Sequence, residues 1–124
     1  STPPRVLLGV PLAAFAAVVE RFDVFVTGDT GPMHLSHAVG TPNVAIFGPS
    51  DPVRYGPEAE SDGAAHLLRH VVRRPVYCSP CNMIRRPPSE CAELPAPDCI
   101  SGIATTDVYA ALSAALSNRG LRAQ

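Results

Sequence analysis

Eight consecutive residues, Thr27-Gly28-Asp29-Thr30-Gly31-Pro32-Met33-His34, gather the residue types that phosphate binding requires. A phosphate is held by several N–H donors converging on one point, with no β-carbon in the way and the positive end of a helix behind. Gly28 and Gly31 permit close backbone approach on either side of Asp29 and Thr30, and Pro32 suits a helical first turn, so the run reads as an anion nest at a strand-to-helix turn. The Thr30 hydroxyl either caps the helix or touches the ligand. Asp29 would repel a phosphate. It suits instead the acceptance of backbone N–H groups, or of a ribose or sugar hydroxyl, and a plain Asx turn accounts for it as well. His34 lies four residues after Thr30, on the same helical face, from which it could donate to a phosphate oxygen. His37 falls on the flank of that face. Either histidine also reads as a structural one, and no H-E-x-x-H arrangement makes them a metal pair.

A second group of chemically suggestive residues is Cys78, Cys81, Cys91 and Cys99, spaced C-x2-C-x9-C-x7-C. The first pair has metal-ligand spacing, and four thiolates could complete a tetrahedral structural zinc site or hold an iron–sulfur cluster. A redox C-x-x-C, two disulfides and four free thiols are the other readings. The segment from about 75 to 100 is also rich in proline, which predicts irregular structure through most of it.

The elements that must position these residues follow from periodicity. Arg5 to Val10 reads as a short strand or a connecting segment, and Leu12, Phe15, Ala16, Val19 and Phe22 repeat at helical spacing. Phe22 to Thr27 reads as a strand, Met33 to Val39 as a helix stopped by Gly40, and Asn43 to Phe47 as a second strand. Strand, helix and strand at this spacing predict a parallel pair with a crossover. The turn Gly48-Pro49-Ser50-Asp51-Pro52 then lies on the same rim as Asp29, at the carboxyl ends of the strands where ligands of open α/β sheets gather. Glu58 to Ala65 is loop-like, and His66 to Leu68 with Val71-Val72 suggests one or two short strands. Thr105 or Thr106 is expected to cap a last helix that buries Val108, Leu112, Ala115 and Leu116 and ends at Gly120.

The 124 residues, 46% hydrophobic and 17% charged, predict one domain with a real core over residues 1–124. A formal charge of -1 gives no field to recruit nucleic acid, although Arg69, Arg73, Arg74, Arg85 and Arg86 form a local basic grouping. No apolar run is long enough to cross a bilayer. The start at Ser1, without methionine, hints at a piece of a longer chain. There is no G-x-G-x-x-G and no Walker A sequence, which counts against a dinucleotide or ATPase fold.

The ordered combination Asp29-Thr30-Gly31-Pro32-Met33-His34, Ala38, Gly40-Thr41-Pro42 and Ile46-Phe47-Gly48-Pro49-Ser50-Asp51-Pro52 resembles the signature of the heptosyltransferases, glycosyltransferases that build the lipopolysaccharide core. An Ile103…Asp107-Val108 start resembles the family's final helix. The resemblance implies an α/β, parallel-sheet, Rossmann-like three-layer domain equivalent to the C-terminal half of a two-domain GT-B enzyme. It implies a nucleotide-sugar donor, commonly ADP-heptose, held by Asp29, Thr30, Gly31, Pro32, Met33 and His34, with Gly48, Pro49 and Ser50 lining the same cleft. His37 departs from the small residue often present at that position. The acceptor, of the lipopolysaccharide type, and the base of an inverting transfer belong by resemblance to an N-terminal domain, so no residue here is assigned a catalytic role and no cofactor is needed for chemistry. A parent enzyme of this kind would work in the cytoplasm, against the inner membrane face. The competing expectation is a non-catalytic or redox module organised by the four cysteines.

Overall fold

The computed structural model describes residues 2–56, 69–81, 91 and 97–122, with side chains described up to residue 118 of the last helix. Its elements are α1 (Leu12–Glu20), β1 (Phe25–Gly28), α2 (Gly31–Ala38), β2 (Asn43–Phe47), α3 (Pro52–Tyr55), β3 (Arg69–Arg73), α4 (Asp98–Ser101) and α5 (Thr105–Arg122). The three strands form one parallel sheet in the order β1-β2-β3. Helices cover both faces, with α1 and α2 on one and α5 on the other, which is the α/β three-layer arrangement the sequence predicts.

The central strand explains the layering. β2 is apolar along nearly its whole length because both of its faces are covered. Ala45 and Phe47 pack with Met33 of α2 and with Val71, while Val44 packs with Val72 and Ala115 of α5 on the opposite face. Successive residues of a strand point to opposite faces, so this alternation divides one five-residue strand between two cores.

Buried polar bonds fix how the helices meet the start of the sheet. Thr41 Oγ1 donates to Val19 O at 2.9 Å, Ser36 Oγ donates to Met33 O at 2.7 Å, and Asn43 Nδ2 donates to Ser36 Oγ at 3.1 Å. Gly40 ends α2 as expected: it sits at φ 76, its N–H donates to His37 O at 3.0 Å and the Thr41 N–H donates to Ser36 O at 2.8 Å. That pair of bonds is the Schellman stop, for which a left-handed glycine is suited. Phe25 stacks on Phe22 at 6.2 Å and meets Phe15 edge-on at 6.1 Å, holding α1 beside the edge strand.

Several boundaries differ from the sequence reading. Residues 5–10 form no strand and are the connecting segment of the two alternatives. β1 begins at Phe25 and not at Phe22, which is 40% exposed on the link before it. Residues 58–65 and 66–68 lie outside the described residues, and Val71-Val72 belong to β3. α5 already contains both threonines, and its first bonds run from the Asp107 and Val108 N–H groups to Ala104 O, so neither threonine is the cap. Gly120 does not end α5, which runs on to Arg122. Leu116 is 44% exposed, and Ala111 takes its place in the buried stripe with Val108, Leu112 and Ala115. The cause is geometric: Leu112 and Ala115 already fill the face turned to the sheet.

Candidate functional site

Parallel pairing brings the two glycine-bearing turns to one rim. Gly28 is level with Ile46 in the register, so Asp29 leaves β1 beside the point where Phe47 leads into Gly48. The rim lies at the carboxyl ends of the strands, where open α/β sheets bind ligands.

The first turn is shaped by local bonds. Thr30 occupies the N-cap position of α2 in extended conformation, φ -149 and ψ 171, but its hydroxyl does not cap the helix. It lies 3.4 Å from both Gly28 O and Thr27 Oγ1, facing back over the turn. Pro32 has no N–H and the Met33 N–H is closed on Thr30 O at 3.0 Å, so the donors left for an anion are the N–H groups of the turn itself and the Gly31 N–H at the head of α2. Asp29 is half-buried, and its carboxylate takes no hydrogen bond among the described residues. Of the alternatives read for Asp29, acceptance of backbone N–H groups is therefore not formed among the described residues.

Space at this turn is open. A β-carbon on Gly31 would meet nothing within 4 Å, and one on Gly28 would reach only Ile46 O, at 4.0 Å. Beside Gly31 a groove of about 450 Å³ runs between α1 and α2, walled by Leu12, Phe15, Pro32, Leu35 and Ala38, with the exposed His34 among them. His34 thus shares this groove with Gly31 and Pro32. Met33 does not: its side chain is fully buried against Ala45 and Phe47, so what it offers the rim is backbone alone. A methionine three residues into an amphipathic helix points to the sheet when its neighbours take the outer face. His37 is half-buried on the flank.

The second turn is packed from below. Gly48 is buried, and a β-carbon on it would collide with the Ile100 side chain and come within 3.6 Å of Cys99 Sγ. Gly48 O accepts from Ser79 Oγ at 2.7 Å, and Pro49 O accepts from the Cys81 N–H at 3.0 Å. Ser50 is buried beside them, and Asp51 caps α3 by accepting from the Val53 N–H at 2.9 Å. Sequence reasoning singled out Gly48, Pro49 and Ser50 and passed over Ser79, because nothing in a serine between two cysteines signals a bond across 31 positions.

The described arginines of the basic grouping bond to different parts of the chain. Arg73 donates to Ser79 O at 2.9 Å, Arg69 reaches Pro52 O at 3.5 Å, and Arg74 donates to Gly102 O at 3.0 Å and approaches Asp98 at 3.8 Å. Arg85 and Arg86 lie outside the described residues.

The four cysteines are free thiols. Cys78, Cys91 and Cys99 line a cavity of about 270 Å³ with Val76, Tyr77, Pro97 and Asp98, while the Cys81 backbone is fastened to Pro49. Among the described residues, no three of His, Cys, Asp and Glu form a group that could hold a metal ion. Neither the tetrahedral site nor the disulfides read from the spacing is formed, because the thiols surround a space in place of converging on a point. Burial pushes the Cys99 thiol above its ordinary range; a backbone hydrogen bond opposes the shift, and the neighbouring Cys78, Cys81 and Cys91 add to it. No helix among the described residues is long and apolar enough to cross a membrane.

A three-layer parallel sheet with two turns meeting at its carboxyl rim defines an α/β domain of the Rossmann-like type found in GT-B glycosyltransferases. The sequence model of glycosyltransferase family 9 (heptosyltransferase) matches residues 4–83, and the chain belongs to that family. The match takes in both turns and the C-x-x-C pair, and stops before Cys91, Cys99 and α5, so the similarity expected for the last helix falls outside it. No curated protein and no solved structure matches the chain.

Proposed function

We propose that the rim formed by residues 27–34 and 48–50 binds the nucleoside diphosphate of a sugar donor, and that the chain is the donor-binding, C-terminal half of an inverting glycosyltransferase. The observation that carries this reading is the unfilled space at Gly28 and Gly31. Two glycines stand at the mouth of α2 where the protein's own packing requires neither, and the room they leave faces free N–H groups at a helix N-terminus.

Each neighbour then has a task. The Thr30 and Gly31 backbone and the His34 imidazole donate to phosphate oxygens. Asp29 accepts from a ribose or sugar hydroxyl, a donor that a carboxylate attracts where it would repel a phosphate oxygen. The groove between α1 and α2, apolar with one imidazole, suits the flat faces and polar edge of a nucleobase. Gly48, Pro49 and Ser50 close the other side of the rim. In the transfer, positive helix potential and N–H donors offset the charge of the departing nucleoside diphosphate, while the general base and the acceptor come from a facing domain. The family is described as heptosyltransferase; by the resemblance of the two turns to that family's signature, the donor is ADP-heptose, the acceptor a lipopolysaccharide core, and the place of work the cytoplasmic face of the inner membrane. Alone, the chain binds donor and does not turn it over.

Calorimetric titration of the chain with ADP tests the assignment. Asp29→Ala and His34→Ala should each weaken binding by about tenfold, or ~1.4 kcal/mol, with the melting temperature unchanged. Unaltered affinity in both variants would place the site elsewhere.

A further inference from the structure

The donor-site reading leaves the C-x-x-C pair without a task, yet its backbone is bound to the donor rim. Ser79 stands between the two cysteines. Its hydroxyl donates to Gly48 O at 2.7 Å, its carbonyl accepts from Arg73 Nη2 at 2.9 Å, and the N–H of Cys81 donates to Pro49 O at 3.0 Å. Residues 79 and 81 thus supply two direct hydrogen bonds to the Gly48-Pro49 backbone. Cys78 and Cys81 bracket them as half-buried free thiols, and the Ser79 N–H, bonded to Val76 O at 3.0 Å, folds the chain into a turn between β3 and the pair. Cys78 also lines the cavity of about 270 Å³, through which a small reagent can reach it. Cys99 lines the same cavity but is buried, 7% exposed, with its sulfur beneath Gly48.

We propose that Cys78 and Cys81 form a reversible disulfide clasp that sets the position of the Gly48–Ser50 rim, so that oxidation by a hydroperoxide loosens the donor site and reduction by a dithiol restores it. The consequence for binding rests on the donor-site reading above, whereas the clasp itself does not. The Cys78 thiolate attacks the outer peroxide oxygen; the O–O bond breaks, leaving a sulfenic acid and an alcohol or water. The Cys81 thiolate then attacks the sulfenic sulfur, the S–S bond forms and hydroxide leaves to be protonated. Two thiols and one hydroperoxide give one disulfide, one alcohol and one water, with two electrons passing from sulfur to oxygen. Closing the bond requires the two β-carbons to approach to about 3.5–4.5 Å with a near-perpendicular S–S torsion. That demand falls on the backbone on either side of Ser79, which is the backbone that holds Gly48 and Pro49.

The test treats the reduced full chain with one equivalent of hydrogen peroxide and follows mass, peptide linkage, amide hydrogen exchange and ADP binding. The expected result is loss of two hydrogens, a Cys78–Cys81 link, exchange at the Cys81, Gly48 and Ser50 amides faster by about fivefold or more, and weaker ADP binding, all reversed by dithiothreitol. Cys81→Ser should abolish the link and the exchange change together. Linkage to Cys91 or Cys99, over-oxidation of Cys78 without a link, thiols already masked by a bound metal in the purified chain, or a link that leaves exchange unchanged would each overturn the proposal. Should the reduced chain bind no ADP, the donor-site reading fails, and the exchange and linkage data still decide the clasp.

Discussion

The two glycine turns share a rim and differ in what makes them glycine. At Gly48 the reason is internal: Ile100 occupies the place of a β-carbon, and Ser79 and Cys81 hold the backbone from the far side. At Gly31 the place of a β-carbon is empty, and the residue is not in the left-handed region that would demand glycine. One turn is therefore a packed joint and the other an open mouth. Sequence resemblance treats them as equal parts of a signature, but their surroundings separate them: in the donor-site proposal the packed turn positions, and the open turn receives.

The largest effect that could break this comparison is on stability at the packed turn. Gly48→Ala should lose about 1–2 kcal/mol in urea unfolding, because the new methyl group must displace the Ile100 side chain or the loop. Adding Ile100→Ala should recover part of that loss, and additive losses would show that the clash is not the cause. Next in size, Ser79→Ala should cost about 1 kcal/mol by removing the bond to Gly48 O, with a larger rise in amide exchange at residues 48–50 than at 28–31.

Much of this arrangement was legible in the sequence. The β-branched run Asn43–Phe47 could be a strand and little else, and Gly40 marked the helix stop at its proper place. That the turns at 29–31 and 48–50 would meet on one rim was legible because turn chemistry is local and because parallel strands must end on one side. What escaped were facts about space. Helical spacing proposes faces but does not say how wide the buried one is, so Leu116 was expected inside and Ala111 was not. The cysteine spacing could not show that three thiols would ring a cavity, nor that Ser79 between the first two would reach Gly48.

A smaller effect sharpens the packed side. Burial raises the Cys99 pKa, so the unfolded chain releases this proton first as pH rises. The stabilisation is fully present below the ordinary thiol range and is lost as pH climbs through it toward the raised value. Unfolding free energy should therefore fall between about pH 8 and pH 10 more steeply than in Cys99→Ala, which a denaturant series at both pH values would show.

The smallest expected effect on stability belongs to the open turn, and there the effect on binding is large. Gly31→Ala places a methyl group in empty space at the first residue of α2, where alanine is the better helix former. Its stability should stay within about 0.5 kcal/mol of the parent chain or rise slightly. The most direct measurement is ADP titration of this variant alongside its melting curve: an intact fold with affinity reduced by about tenfold or more is the result expected of a mouth that receives phosphate. Undiminished ADP affinity in a folded Gly31→Ala chain would contradict the account.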